Sequence, residues 1–211
     1  MHLSNDVIDM NPTPYSIPAK SAEFVEEIKK SRFITELHYV ANNEQAKQKI
    51  AEIKQQHPTA RHHCSAFVAG PPHDGQQYGF SDDGEPSGTA GKPMLATLQG
   101  SGLGHILAVT TRYSGGIKLG TGGLVKAYGG GVKQALERLE SKIFVPKSQF
   151  KIQCQYGEVD QVNFLIKQFE GELITTNYQD SVEIHLALPQ MNSDNLEQSL
   201  QPLQLLLIPL D

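Results

Sequence analysis

The chain contains no tryptophan and only two cysteines, Cys64 and Cys154, in 211 residues. Two thiols cannot form a disulfide framework or a four-thiolate metal site, so a reduced, cytoplasmic pair is expected. No apolar run approaches the roughly 20 residues of a membrane helix. Residues 1–16, MHLSNDVIDMNPTPYS, lack the basic segment and apolar core of a secretory signal. A general excess of positive charge is also missing, since the formal net charge is −5. That excludes a strongly basic nucleic-acid surface over the whole molecule. Hydrophobic residues still make up 38%, enough for a core, so wholesale disorder is excluded too.

Several standard motifs fail on spacing. Gly91-Lys92 resembles the end of a phosphate loop, but Pro93 replaces the Ser/Thr, and Pro86 stands where the first glycine belongs. Gly100-Ser101-Gly102 meets His105, and Gly120-Thr121-Gly122 meets Val125, where a dinucleotide fingerprint needs its third glycine. There is no Gly-x-Ser-x-Gly and no HExxH.

What is present is unevenly distributed. Residues 1–145 carry a net +1 and residues 146–211 a net −6. The acidic part should repel a phosphate backbone, so an anion site belongs in the first part. No glycine precedes Gly70, and sixteen of the nineteen lie between Gly75 and Gly131. Such a stretch needs positive φ or close backbone approach at several places.

Residues 1–14, with Pro12 and Pro14, read as a loose arm. Residues 23–40 read as extended, 43–57 as a helix with Ala46, Ile50 and Ile53 on its stripe, and 62–69 as a strand. Asn42 or Asn43 can cap the helix, and Pro58 stops it. A short helix opened by Pro93 is expected over 93–100. HILAVTT at 105–111 has the pattern of a central buried strand. A helix over 121–141 would bury Leu124, Tyr128, Val132, Ala135 and Leu139. Its Gly129-Gly130-Gly131 run calls for close packing against a sheet.

Pro146 marks a boundary. Beyond it come a strand (148–155), a helix (158–170), a hairpin (172–178 and 181–188), a short helix (192–201) and a last strand (203–208). Strand-helix-strand-strand-helix-strand is the ferredoxin-like order. The reading is therefore α+β with domains at 15–145 and 146–211.

Two stretches carry chemistry. Asp82-Asp83-Gly84-Glu85 holds three carboxylates within four residues. These could bind a divalent metal or act as acid and base, or they could form a solvated acidic turn whose Asp side chains bond their own backbone. The second stretch runs from Thr111 to Gly123. Its Gly115, Gly116, Gly120, Gly122 and Gly123 expose backbone N–H groups, Thr121 can cap, and Arg112 and Lys118 add charge. These are the parts of an anion site at a helix N-terminus, or of a tight turn with Arg112 paired to Asp82, Asp83 or Glu85. His62, His63 and His73 are further candidates. His62 and Cys64, on one strand face, could ligate a metal with an Asp, but a buried, hydrogen-bonded His is the plainer reading. Tyr78, Phe80, Tyr113 and Tyr128 could stack bases or fill the core. No metal site and no cofactor is assigned.

Three segments together, Ala60-Arg61-His62-His63-Cys64, DDGEPSGTAGKP at 82–93 and TRYSGGIKLGTGGLVKAYG at 111–129, resemble bacterial members of the IMPACT family. The likeness runs from about Tyr15 and departs at Ser114, where an aromatic is usual in the family, and at the extra residues 1–13. It implies a ribosomal protein S5 domain 2-like N-terminal domain and a ferredoxin-like C-terminal domain. Fold alone does not fix function. The family implies a non-catalytic, cytoplasmic binding or regulatory protein that engages RNA, the ribosome or a translation-associated protein. Arg112, Lys118, Lys126 and Lys133 would then contact phosphates. The alternative is an enzyme acting on a phosphorylated substrate. The 112–123 loop would hold the phosphate, Asp82, Asp83 or Glu85 would bind Mg²⁺ or act as base, and His62 would serve as acid or base.

Overall fold

A computed structural model describes residues 13–210, so most of the arm expected over 1–14 lies outside the described residues. The chain divides into two units, one of Tyr15–Phe144 and one from Val145 onward.

In the first unit, β1 (Tyr15–Pro18) is followed by β2 (Ala22–Ile28) and β3 (Ser31–Tyr39). The segment read as one extended stretch is thus a hairpin, turning at Lys29 and Lys30 with φ of 48° and 63°. Helix α1 (Asn43–Gln56) starts where expected, with the Asn42 side chain accepting from Gln45 N at 3.0 Å. It leads to β4 (His62–Val68), β5 (Tyr78–Ser81), α2 (Gly91–Ser101), β6 (Ile106–Tyr113), α3 (Thr121–Leu136) and β7 (Ser141–Phe144).

Five strands form one antiparallel sheet in the order β2-β3-β6-β4-β5. β6 lies at its centre, buried from Ile106 to Arg112. Its side chains alternate between two cores, as strand geometry requires. Ile106 and Ala108 face Met94, Leu98, Tyr128 and Val132 of α2 and α3. Leu107 and Val109 pack with Ala46 and Ile53 of α1. Full burial of side chains such as Leu37, Leu98 and Ile106 stabilises by roughly 1.5–3 kcal/mol each.

Three sequence expectations change. Helix α2 opens at Gly91, with Pro93 as its third residue, inside the first turn where a missing N–H costs nothing; Gly91 itself packs against the Ser81 backbone, 2.8 Å from where a Cβ would sit. Helix α3 ends at Leu136, so Leu139 packs from beyond it. The chain then pairs β7 with β1, which the sequence did not predict. Of the three consecutive glycines, Gly131 meets β3, with Thr35 Oγ1 2.7 Å from a built Cβ, and Gly129 faces α2. Gly130 looks into open space.

The second unit comprises β8 (Lys147–Cys154), α4 (Val159–Gln168), β9 (Glu172–Tyr178), β10 (Val182–Pro189), α5 (Ser193–Leu200) and β11 (Ile208–Leu210). Its strands pair antiparallel in the order β11-β8-β10-β9, the ferredoxin-like arrangement. Phe150, Ile152 and Cys154 alternate inward beside Val182, Ile184, Leu186 and Leu188, and Val162, Ile166, Leu196 and Leu200 of the helices cover them. The last strand is Ile208–Leu210 rather than 203–208. The preceding residues close α5 instead: Gln204 has φ 56°, and Leu205 N donates to Leu200 O.

Candidate functional site

The three motif segments meet at one end of the five-stranded sheet. His62 stands opposite Arg112 in the β4–β6 register. The 82–85 turn lies beside both, its tight bend closed by Glu85 N donating to Asp82 O at 2.9 Å. Asp83 and Gly84 adopt φ of 40° and 86° there.

Each carboxylate of that turn has a protein partner. Asp82 accepts from the backbone N–H groups of Gly88, Ala90 and Gly91 at 2.8, 3.0 and 2.8 Å. It therefore satisfies the start of α2, which has no capping side chain of its own. Asp83 accepts from Lys54 Nζ at 2.8 Å and from His63 N at 2.7 Å. Burial alone would raise its pKa, but the Lys54 hydrogen bond and charge, together with the His63 backbone N–H, outweigh burial and hold the carboxyl below its usual value. Glu85, 9% exposed, takes Arg112 Nη1 at 2.6 Å and the Tyr128 hydroxyl at 2.7 Å on one oxygen. The turn is therefore not the solvated one expected: Glu85 is buried, and all three acids bond groups outside the turn, because the start of α2, the end of α1 and strands β4 and β6 pack around it. Among the described residues no three His, Cys, Asp or Glu side chains are arranged to hold a metal ion.

Arg112 lies inside, 8% exposed. Its second terminal nitrogen donates to Ser31 Oγ at 3.3 Å, and its guanidinium sits 5.4 Å from the Phe33 ring centroid. Of the two roles left open for it, the Glu85 pairing is what the geometry contains, and a buried, paired guanidinium presents no charge to a phosphate. Ser31 Oγ also accepts from Gly115 N at 3.2 Å. The ion pair, the β2–β3 turn and the glycine loop are therefore joined. Gly115 fits there because a Cβ would fall 2.0 Å from Lys30 O.

The loop beyond is exposed through Gly116, Lys118 and Gly120, with Gly116 and Gly120 at φ 80° and 78°. Thr121 is the first residue of α3 rather than its cap, and no side chain caps this helix. Its N-terminal N–H groups, at Thr121, Gly122 and Gly123, carry the partial positive charge of the helix dipole. Lys126 is exposed one turn on. Lys133 is not part of this end. It lies twelve residues along α3 from Thr121, about 18 Å away.

His62, half-buried, donates Nδ1–H to Asp83 O at 2.9 Å. Cys64 is fully buried with its thiol on Asp82 O at 2.9 Å, and burial pushes its pKa up to about 12, out of nucleophilic range. Tyr128 is also buried, its hydroxyl pKa raised by burial and by neighbouring Cys64 and Glu85, so it fills the core and cannot stack a base. Tyr113 bonds His57 Nδ1 at 2.8 Å, Tyr78 bonds Pro72 O, His63 donates to His57 O, and His73 and Phe80 are exposed elsewhere.

The sequence reading missed the remaining cations of this end. Lys29, Lys30 and Arg32 stand at the β2–β3 turn, Arg61 precedes β4, and Lys92 is the second residue of α2; all are exposed. Only a fold that gathers four segments at one sheet end makes them neighbours. With Lys118 and Lys126 they outnumber the exposed acid of the turn, Glu27, which stands opposite Arg32.

Comparison with known proteins places this architecture. Residues 29–136 match the Impact N-terminal domain, and residues 152–203 match a domain of unknown function, DUF1949. The chain is 55% identical to IMPACT family member YigZ of Escherichia coli over 173 residues, 82% of this chain and 85% of that one. It is 53% identical to an IMPACT family member of Haemophilus influenzae over 176 residues, 83% and 85% of the two chains. A crystal structure described as that of a hypothetical protein superposes with a TM-score of 0.77 at 48% identity, covering 95% of this chain and 98% of the other. The buried frame of Arg112, Glu85 and Tyr128 and the glycine loop beside it both fall within the matched N-terminal segment, and with relatives this similar over most of its length the chain belongs to the IMPACT family.

Proposed function

We propose that this chain is a non-catalytic, cytoplasmic binding protein, translation-linked, that holds RNA through the basic end of its N-terminal unit. The observation that carries the reading is the imbalance at that end. Lys29, Lys30, Arg32, Arg61, Lys92, Lys118 and Lys126 are exposed around the uncapped start of α3. Beside them Glu85 is paired with buried Arg112, Asp83 is bridged to Lys54, and Asp82 is turned onto the backbone N–H groups before and at the start of α2. Exposed cations and oriented N–H groups, well in excess of the exposed acid Glu27, suit a phosphate backbone. The same bonds leave the enzymatic alternative without a free carboxylate for metal or base. No described helix is long and apolar enough to cross a membrane.

The test is cosedimentation of the full chain with ribosomes and with total RNA, beside Lys30→Glu/Lys118→Glu. With about four phosphate contacts on single-stranded RNA, affinity should fall about fiftyfold between 0.05 and 0.2 M salt. The double variant should bind at least tenfold more weakly, with a shallower salt slope. Association that ignores salt overturns the phosphate mechanism. Salt-sensitive association unchanged in the variant puts the surface elsewhere.

A further inference from the structure

An edge strand with unpaired backbone groups invites pairing, and proteins normally shorten, charge or break such edges. Three of the four edges of the two larger sheets here follow that rule. β2 carries Glu23, Glu26 and Glu27, β5 has four residues, and β11 has three and contains Pro209. β9 follows it least. It is seven residues long, Glu172–Tyr178, with no proline, and its charge (Glu172) and its bulge (Ile174) both lie in its first three residues. They leave Thr175–Tyr178 uncharged and in regular register with β10. Among the described residues no strand covers its outer edge. Ile174 is 51% exposed and Tyr178 61%, with the Tyr156 ring beside Tyr178 at 6.0 Å between centroids.

Charge selects the occupant. Glu170 and Asp180 flank the strand, both exposed and without an ion pair among the described residues; Glu172 is bridged to Lys147. Two copies brought edge to edge would add four such carboxylates to one seam with no cation of the strand to offset them, which like-charge repulsion disfavours. We propose that the β9 edge docks an extended segment of a partner protein, β-branched or apolar at its centre and basic at its ends, by strand addition. Backbone bonds supply affinity, and the acidic ends supply selection. The proposal is independent of the RNA reading.

The experiment uses the full chain, isotope-labelled for amide exchange, with two synthetic peptides, Lys-Lys-Val-Thr-Val-Thr-Val-Lys-Lys and its Glu-ended counterpart. The Lys-ended peptide should slow exchange in Thr175–Tyr178. At low salt it should bind about tenfold more tightly than the Glu-ended one. Glu170→Lys/Asp180→Lys, at exposed sites that leave the fold intact, should reverse that order. Absence of protection at millimolar peptide overturns the proposal, as does an unreversed preference. Protection without peptide, with a doubled mass in light scattering, also overturns it, in favour of pairing between two copies.

Discussion

Removing the Glu85 carboxylate should destabilise the N-terminal unit more than any surface change. The side chains of Arg112 and Glu85 are only 10% and 4% exposed, and their atoms meet at 2.6 Å. Glu85→Ala leaves a guanidinium buried without its counter-charge, a loss of about 3–5 kcal/mol for pairs of this kind. It also takes the acceptor from the Tyr128 hydroxyl, 2.7 Å away. Folded domains have about 5–15 kcal/mol in all, so the unit should be near the limit of folding. Native-state hydrogen exchange at the central β6 amides reads the opening free energy of this unit alone. About 4 kcal/mol corresponds to roughly a 10³-fold faster exchange. Glu85→Gln keeps an acceptor for Tyr128 and should fall between the parent and Glu85→Ala. Glu85→Leu/Arg112→Met removes both charges and should recover much of the loss. Exchange within about 1 kcal/mol of the parent for Glu85→Ala would refute the claim that the pair is desolvated. So would a double variant no better than the sum of the singles.

Four further outcomes are expected. Gly130→Ala should stabilise by about 0.5–1 kcal/mol, because a Cβ there enters open space on a helix. Gly131→Ala should destabilise, because its Cβ would lie 2.7 Å from Thr35 Oγ1, itself bonded to Thr110; paired thermal melts decide both. Asp82→Ala should cost about 2 kcal/mol by uncovering the Gly88 N–H of the preceding turn and the Ala90 and Gly91 N–H groups at the start of α2, read as faster exchange at Ala90 and Gly91. Asp83 has a lowered pKa in the folded protein, so its contribution is complete above the unfolded carboxyl value near pH 4 and fades as pH falls through the folded value. Asp83→Asn should therefore flatten the acid limb of stability below about pH 4, measured by urea midpoints, and an unchanged limb would remove Asp83 from the account.

The sequence alone determined what depends on neighbours along the chain. Helix α1 was readable from its Asn42 cap, its apolar residues spaced four and three apart, and Pro58. The central strand showed in a continuous apolar run, and the second unit in an alternation of period two broken by amphipathic helices. Loop chemistry was legible as a concentration of glycine and charge. Tertiary structure decided which charges stay free. Arg112 and Lys118 look alike in sequence, but one is buried against Glu85, 27 residues away, and Ser31, 81 residues away. Pairing at that distance is set by which strands become neighbours, and no local pattern encodes it. The short strands β1, β5 and β7 escaped for the same reason, since each is held by its partner rather than by its own residues. The basic end exists because the sheet brings the β2–β3 turn, the start of β4 and the starts of two helices to one side.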